Sequence, residues 1–145
     1  MTRPPIDAER SAAARSHLRP LRLLVADDER DTVLTLALLL RHEGHTVKGV
    51  HSGAEVLAAF ADEQPDAVIL DIEMPGMSGY SVAQELRRRH HPVRGPLLIA
   101  ISGKWVKASD RMLARLAGFD HHLLKPCDPE DLLRLLAPLR LPEAR

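Results

Sequence analysis

The residues in this chain best suited to chemistry are three carboxylates, one hydroxyl and one ammonium, each of which follows a short apolar run. They are Asp27, Asp28, Asp71, Ser102 and Lys125. Carboxylates gathered at one place repel one another, so they need a cation nearby in order to stay ionised. A divalent metal meets that need, and a set of oxygen ligands favours Mg²⁺ over a softer ion. Clustered titratable groups of this kind are typical of functional sites.

The elements that must bring these residues together alternate along the chain. Five apolar runs alternate with five segments of helical character, which indicates parallel strands covered by helices on both faces. Runs 23–25 and 68–70 are apolar without alternation, as expected for strands buried on both faces. Ligands of such a sheet bind beyond the carboxyl ends of its strands, where the five polar residues lie. The predicted strands are 21–26, 46–50, 67–70, 97–101 and 122–124, and the predicted helices are 30–43, 52–63, 78–90, 109–117 and 128–139.

Length and composition set the class of protein. The chain has 145 residues, of which 45% are hydrophobic and 28% charged, so we expect one soluble globular domain. A formal net charge of +0 provides no overall basic field, which argues against direct DNA binding or attraction to an anionic membrane surface. A single cysteine excludes an internal disulfide, and no apolar run reaches the ~18 residues of a membrane span, so we expect a cytoplasmic protein. Residues 1–19 are predicted to be a flexible N-terminal extension, and residues 20–145 the folded domain.

Four short motifs, each at the end of a predicted strand, carry a family resemblance. They are Leu-Val-Ala-Asp-Asp-Glu at 24–29, Val-Ile-Leu-Asp-Ile-Glu-Met-Pro-Gly-Met-Ser-Gly at 68–79, Ala-Ile-Ser-Gly at 100–103 and Leu-Leu-Lys-Pro at 123–126. In this order they closely resemble bacterial response-regulator receiver domains of two-component signalling, in particular the single-domain, chemotaxis-regulator type. The resemblance implies a doubly wound α/β fold, flavodoxin-like (βα)5, with strand order 2-1-3-4-5.

The resemblance also implies how the acidic residues work. Asp28 and Asp71 would bind Mg²⁺ directly together with the backbone carbonyl of Glu73, and Asp27 would act largely through a metal-bound water. Such an ion keeps a carboxylate ionised, hence nucleophilic, and offsets the charge of an incoming phosphoryl group. Asp71 would accept that group from a histidine kinase or a histidine phosphotransfer protein.

The same resemblance implies roles for the remaining site residues. Lys125 would hold a phosphate oxygen, in a Lys-Pro peptide that the family keeps in the cis form, and Ser102 would donate a hydrogen bond to the attached phosphoryl group. Glu73 and Lys104 occupy places that modulate dephosphorylation in the family, and we hypothesise an ion pair between them. His122 departs from the family pattern, in which a tyrosine or phenylalanine acts as a switch at this place. A switching histidine and a strand-edge histidine without that role both remain open.

Several functions are compatible with these motifs. We favour a stand-alone receiver that phosphorylates itself and loses the group slowly, is not otherwise an enzyme, and switches binding to a downstream protein. The short stretch after Leu139 favours this over a transcription factor or a piece of a hybrid kinase or larger regulator. A phosphatase of the haloacid-dehalogenase type is an alternative, although such enzymes carry Asp-x-Asp on an early strand. A receiver-like module that is never phosphorylated is another, and its intact acids argue against it. The first and last predicted helices carry more leucines than one core face uses. Receiver domains often dimerise through the fourth and fifth helices with the fifth strand, so the resemblance implies a homodimer there.

Overall fold

The computed structural model describes residues 18–90, 95–103 and 108–141. In this part of the chain, strands and helices alternate as the sequence predicts, and each element is numbered here in chain order. The strands are β1 (Arg22–Ala26), β2 (Thr46–Val50), β3 (Ala67–Asp71), β4 (Leu97–Ser102) and β5 (His121–Leu124). The helices are α1 (Arg30–His42), α2 (Gly53–Glu63), α3 (Gly79–Arg89), α4 (Ala108–Ala117) and α5 (Pro129–Leu136), and a 3₁₀ helix (Ala137–Arg140) follows.

The five strands form one parallel sheet in the order β2-β1-β3-β4-β5. This confirms the doubly wound, flavodoxin-like fold class and strand order. The central strands β1, β3 and β4 are almost wholly buried, as their unbroken apolar runs predict, whereas the edge strands β2 and β5 alternate in burial or are half exposed. The chain order reverses between β1 and β3, and a parallel sheet binds ligands at that point.

Side chains of the strands alternate between two hydrophobic cores, one on each face of the sheet. On β1, Leu24 and Ala26 face the first core, and Leu23 and Val25 face the second. Each large aliphatic side chain that is fully buried in this way stabilises the fold by roughly 1.5–3 kcal/mol. Helices α2, α3 and α4 contribute Val56, Phe60, Val82, Leu86 and Ala114 to the first core, and α1 and α5 contribute Val33, Leu36, Leu40, Leu132 and Leu136 to the second.

In the part of the chain that the structure describes, side-chain caps begin three of the five α-helices. Ser52, Ser78 and Asp128 are N-caps whose side chains accept hydrogen bonds from backbone N–H groups in the first turns of α2, α3 and α5. The last helix ends earlier than predicted, at Leu136 rather than at residue 139, and continues as a 3₁₀ turn. Pro138 explains the difference, because its nitrogen has no proton to donate to an α-helical hydrogen bond.

Large exposed aliphatic side chains lie on α1, where the sequence suggested a surplus, and on α4, where it did not, whereas the leucines of α5 are buried or half-buried. Leu34 and Leu38 project from α1 into solvent, and Met112, Leu113 and Leu116 do so from α4. Among the described residues, no helix is long and apolar enough to cross a membrane.

Arg19, the last residue of the predicted extension, is bound to the segment before β3 and to the 3₁₀ helix at the end of the fold. Its guanidinium donates to the Asp66 carboxylate at 3.2 Å and to the Leu139 carbonyl at 2.9 Å, and its backbone N–H donates to the Arg140 carbonyl at 2.9 Å. These contacts lie at the amino-terminal edge of the sheet, opposite the five polar residues. The domain boundary between residues 19 and 20 stays a prediction.

Candidate functional site

The polar residues singled out from the sequence converge at the carboxyl edge of the sheet. Asp71 and Ser102 are the last residues of β3 and β4 rather than the first residues after them, because strand pairing extends one residue further than predicted. Asp27, Asp71 and Ser102 are buried, and Asp28 is exposed. Carboxylate oxygens of Asp27, Asp28 and Asp71 all lie within 4.8 Å of one another. The structure therefore brings together the acidic set that the sequence identified.

Lys125 reaches this acidic group from the turn after β5. Its Nζ lies 2.6 Å from Oδ2 of Asp27 and 3.3 Å from Oδ2 of Asp71. The backbone N–H of Lys125 donates to the Ser102 carbonyl at 2.8 Å, and the Lys125-Pro126 peptide is cis, as expected from the resemblance. The ammonium thus contacts two carboxylates at once. An anion that entered the site beside Asp71 would also contact the ammonium.

Backbone donors orient the two buried carboxylates. The N–H of Glu29 donates to Oδ1 of Asp27 at 2.9 Å, and the N–H of Glu73 donates to Oδ1 of Asp71 at 3.1 Å. Each carboxylate therefore has one oxygen on a backbone N–H and the other near Lys125. Both side chains are held in one orientation by the loops that follow β1 and β3, and the site is preformed.

Burial and neighbouring charges change the titration of the central groups. Burial, supported by the nearby Asp27 carboxylate, raises the pKa of Asp71 from 3.8 to about 6, against the lowering effects of the Glu73 N–H and Lys125. Burial by itself lowers the pKa of Lys125, but the carboxylates of Asp27 and Asp71 outweigh it and raise that pKa above its ordinary value. At neutral pH the Lys125 ammonium is therefore charged, and Asp71 is mostly ionised but close enough to its pKa that a small fraction is protonated.

The donor set fits a hard divalent cation. Three carboxylates and one ammonium leave an excess of negative charge, and their oxygens lie within the reach of one ion. Oxygen ligands and an open, water-accessible side at Asp28 suit Mg²⁺, which retains several waters when it binds to proteins. Asp27, Asp28 and Asp71 are the described side chains that could hold it.

Comparison with known proteins decides the family. The family model described as the response regulator receiver domain matches residues 23–137. The chain belongs to the response-regulator receiver family. It is 37% identical over 121 residues to the response regulator MprA of Mycobacterium ulcerans and 36% identical over 121 residues to that of Mycobacterium avium. These matches cover 83% of the chain and 50–51% of the relatives, so the chain spans about half the length of the curated relatives it matches.

Solved structures agree with this assignment. A putative response regulator from Chloroflexus aurantiacus matches with a TM-score of 0.74 and 28% identity, over 83% of this chain and 98% of that one. The chemotaxis protein CheY4 of Vibrio cholerae has the same fold, with a TM-score of 0.75 at 23% identity over 84% of this chain and 99% of that one. The receiver fold is therefore shared with a chemotaxis regulator, as the sequence motifs predict.

A close approach of backbone at Gly79 shapes the loop after Asp71 in this receiver domain. A Cβ at Gly79 would lie 2.5 Å from the Asp71 carbonyl oxygen and 2.6 Å from Cα of Ile72, distances that no side chain can occupy. Its N–H donates to the Ile72 carbonyl at 2.8 Å. The absence of a side chain at Gly79 thus lets α3 begin directly against the end of β3 and close the loop that carries Glu73.

A cavity of about 360 Å³ opens beside Ser102 in the receiver domain. His122 of β5 lines it, together with Tyr80 of α3 and Asp110 of α4. Burial lowers the pKa of His122, with Arg111 adding to the effect, and its Nε2 is buried without a hydrogen-bond partner among the described residues. His122 therefore lies close to the Ser102 hydroxyl, and its role as a switch stays a prediction.

Glu73 also lines this cavity. Lys104 lies outside the described residues, so the Glu73–Lys104 ion pair stays a hypothesis.

One residue at this edge was missed by sequence reasoning. His51, directly after β2, lies with Nδ1 3.2 Å from the Asp27 carbonyl oxygen. The rule that located the other site residues, namely that the residue after each parallel strand lies at the same edge, also points to His51. It was overlooked because no strand-end motif of the family includes it.

Proposed function

We propose that this receiver domain accepts a phosphoryl group on Asp71 from a histidine kinase or a histidine phosphotransfer protein, in a Mg²⁺-dependent reaction. The observation that carries the proposal is the Asp71 carboxylate, which is 3% exposed, in contact with Lys125 and beside two further carboxylates. Membership of the receiver family supports a place in two-component signalling and a kinase or phosphotransfer partner.

In the proposed reaction, an Asp71 oxygen attacks phosphorus while the bond from phosphorus to the donor histidine nitrogen breaks, and the imidazole keeps that electron pair. The Glu73 N–H holds Oδ1 of Asp71, which leaves Oδ2 facing Lys125. The Lys125 ammonium is placed to bind an oxygen of the transferred group as a point charge. Ser102 ends the neighbouring strand, and its hydroxyl would donate a hydrogen bond to the attached phosphoryl group.

Asp28, Asp71 and the backbone carbonyl of Glu73 would hold the Mg²⁺ ion, and Asp27 would act through a water bound to it. The ion would offset the negative charge that gathers when a phosphoryl group approaches three carboxylates. Slow hydrolysis would then return Asp71 to its free form. The protein would thus catalyse its own phosphorylation and dephosphorylation, without acting as an enzyme on other substrates.

The phosphorylation site can be tested by intact-mass measurement. With acetyl phosphate and Mg²⁺, the wild-type protein is expected to gain the mass of one phosphoryl group, about 80 Da, and Asp71→Asn to gain none. The Asp62→Asn variant, which loses an exposed carboxylate on α2, should gain the mass as the wild type does. Addition of a chelator should prevent the gain in every case.

Other outcomes distinguish the remaining functions. An adduct that persists in Asp71→Asn would show that Asp71 is not the acceptor. A wild-type protein that forms no adduct would support a receiver-like module that is never phosphorylated. Rapid turnover of general phosphomonoesters would support the aspartate-nucleophile phosphatase.

The output of the switch is proposed to be a change in partner binding by a cytoplasmic, stand-alone receiver. A second candidate is the receiver part of a larger regulator, which is favoured by the match to only about half the length of its curated relatives. Expression of the chromosomal gene with a C-terminal tag would decide between them. A band at the 16.1 kDa of this chain supports the stand-alone form, and a band about twice as large supports the regulator.

We also propose a homodimer through α4, β5 and α5. The exposed side chains of Leu113 and Leu116 on α4 and of Leu124 on β5 support it, because exposed apolar side chains on adjacent elements favour association. Sedimentation velocity with beryllofluoride should show a dimer for the wild type and a monomer for Leu116→Asp. A matched change on α1, Leu38→Asp, should leave the dimer intact, and equal behaviour of both variants would place the interface elsewhere.

A further inference from the structure

His51 lies where the second strand ends at the edge of the acidic site. Its Nδ1 is 3.2 Å from the Asp27 carbonyl oxygen, and the ring is partly buried. A carbonyl oxygen only accepts hydrogen bonds, so Nδ1 of His51 must carry the proton and donate it. The contact crosses from the loop after β2 to the loop after β1, and it joins two segments that are 24 residues apart.

The elements on either side of His51 hold the ring in place. The preceding residue, Val50, pairs with Ala26 at the end of β1, and its carbonyl accepts a hydrogen bond from the Asp27 N–H at 3.3 Å. The following residue, Ser52, caps α2 by accepting from the Glu55 N–H at 3.2 Å. A strand end and a capped helix start therefore leave the His51 backbone little freedom.

Besides the bond from its N–H to the Val50 carbonyl, Asp27 makes three further contacts. Its carboxylate meets Lys125 through Oδ2 and the Glu29 N–H through Oδ1, and its carbonyl oxygen meets His51. The carbonyl belongs to the peptide that joins Asp27 to Asp28. A rotation about the Cα–C bond of Asp27 would turn this carbonyl away from His51 and would also move Asp28, which is exposed to solvent. The contact with His51 resists that rotation.

We propose that His51 is a positioning residue for the metal-binding acids, and this rests on the proposed function. By donating to the Asp27 carbonyl, His51 holds the Asp27–Asp28 peptide so that the Asp28 carboxylate stays directed toward the carboxylates of Asp27 and Asp71. It touches neither the phosphoryl group nor the ion. Its contribution is a more preorganised set of oxygen ligands and hence a higher affinity for Mg²⁺.

The experiment is a calorimetric titration of the unphosphorylated protein with Mg²⁺. His51→Phe keeps an aromatic ring but removes the donor, and it is expected to weaken Mg²⁺ binding about three- to tenfold, the effect of losing one hydrogen bond. His51→Gln retains an N–H donor and should recover much of the affinity. The matched control is His42→Phe, at an exposed histidine in the last turn of α1, which should bind Mg²⁺ as the wild type does.

A kinetic measurement adds a second readout. With acetyl phosphate, His51→Phe should need about three- to tenfold more Mg²⁺ for half-maximal phosphorylation but should reach the wild-type rate when Mg²⁺ is saturating. This separation is expected because His51 acts on the ligand set and not on the reacting oxygen of Asp71.

The outcomes separate the two proposals. If the wild type binds Mg²⁺ and is phosphorylated while His51→Phe binds Mg²⁺ equally well, the positioning role is wrong and the proposed function stands. If His51→Phe and His51→Gln lose affinity equally and both melt at lower temperature, His51 has only a packing role. If the wild type neither binds Mg²⁺ nor accepts a phosphoryl group, the proposed function itself fails.

Discussion

The Asp71→Asn variant is expected to be about 2–3 kcal/mol more stable than the wild type at pH 8 in the absence of divalent cations. The reason is that burial raises the pKa of Asp71 from 3.8 to about 6, so ionisation of this carboxylate in the folded protein costs free energy. Asparagine occupies the same space without the charge. Lys125 keeps its closer partner in the variant, because its Nζ lies 2.6 Å from Asp27.

The pH dependence of this gain in stability follows from the direction in which burial shifts the pKa of Asp71. Between pH 4 and 6 the folded wild type binds more protons at Asp71 than the unfolded chain does, so its stability falls as the pH rises through this range. Above the Asp71 pKa of about 6 in the folded protein, the full free-energy cost of ionising this buried carboxylate lowers the stability of the wild type. The difference in free energy of unfolding between Asp71→Asn and wild type should therefore be largest at pH 7–8 and should nearly vanish only below the unfolded pKa of 3.8.

Urea unfolding at several pH values in a chelating buffer measures this difference. Asp62→Asn is the matched control, since an exposed carboxylate on α2 should change stability by less than about 0.5 kcal/mol. Addition of Mg²⁺ should reduce the difference in stability between Asp71→Asn and wild type, because an ion that binds the folded wild type stabilises it by mass action. A variant less stable than wild type at pH 8 would show that the Asp71–Lys125 contact outweighs the cost of burial.

Much of this site could be predicted because it depends on two regular features of the sequence. The unbroken apolar runs at 23–25 and 68–70 located the central strands, and parallel strands place their carboxyl ends at one edge. Polar residues that end such runs therefore had to meet. The proximity of Lys125 to Asp27 and Asp71 follows from that topology, but the sequence alone did not reveal that Lys125 approaches Asp27 more closely.

Contacts made by single polar side chains across the fold could not be predicted in this way. His45 is buried and accepts a hydrogen bond from the Leu21 N–H at 3.0 Å through Nδ1, yet nothing in its sequence context distinguishes it from the exposed His42. The strand-end rule places His51 at the edge of the site, but it does not predict its partner, which is a backbone carbonyl that every residue possesses. Periodicity reports which face of an element is apolar, and it does not report which polar group a long side chain will reach.

The arginines at the end of α3 are the clearest example, and they lead to the second prediction. Arg87→Ala is expected to lower the free energy of unfolding by about 2–4 kcal/mol. The side chain of Arg87 is 16% exposed. Its guanidinium donates from Nε to the Gly118 carbonyl at 2.9 Å, from Nη1 to the Pro96 carbonyl at 2.9 Å and from Nη2 to the Asp120 carboxylate at 2.8 Å. Alanine would remove all three hydrogen bonds and leave their acceptors partly buried.

The neighbouring arginines are natural controls for this effect. Arg88 and Arg89 are more exposed, and both pair with Glu85 on their own helix. Such surface pairs contribute about 0–1 kcal/mol, so Arg88→Ala and Arg89→Ala should unfold close to the wild type in urea. Arg87→Lys should lie between the wild type and Arg87→Ala, because lysine keeps the charge but cannot donate in three directions as the planar guanidinium does.

The role of Arg87 follows from what its three acceptors join. Pro96 precedes β4, and Gly118 and Asp120 form the turn that leads into β5, so one side chain of α3 ties together the starts of two strands. Asp120 strengthens the link by accepting from the Leu98 N–H at 2.8 Å. The carboxyl ends of these strands lead to Ser102 and Lys125, which backbone pairing between β4 and β5 continues to hold. Arg87→Ala should therefore be phosphorylated at close to the wild-type rate well below its melting temperature, and a large loss of rate there would show that the contacts at the starts of the strands also set the geometry of the site.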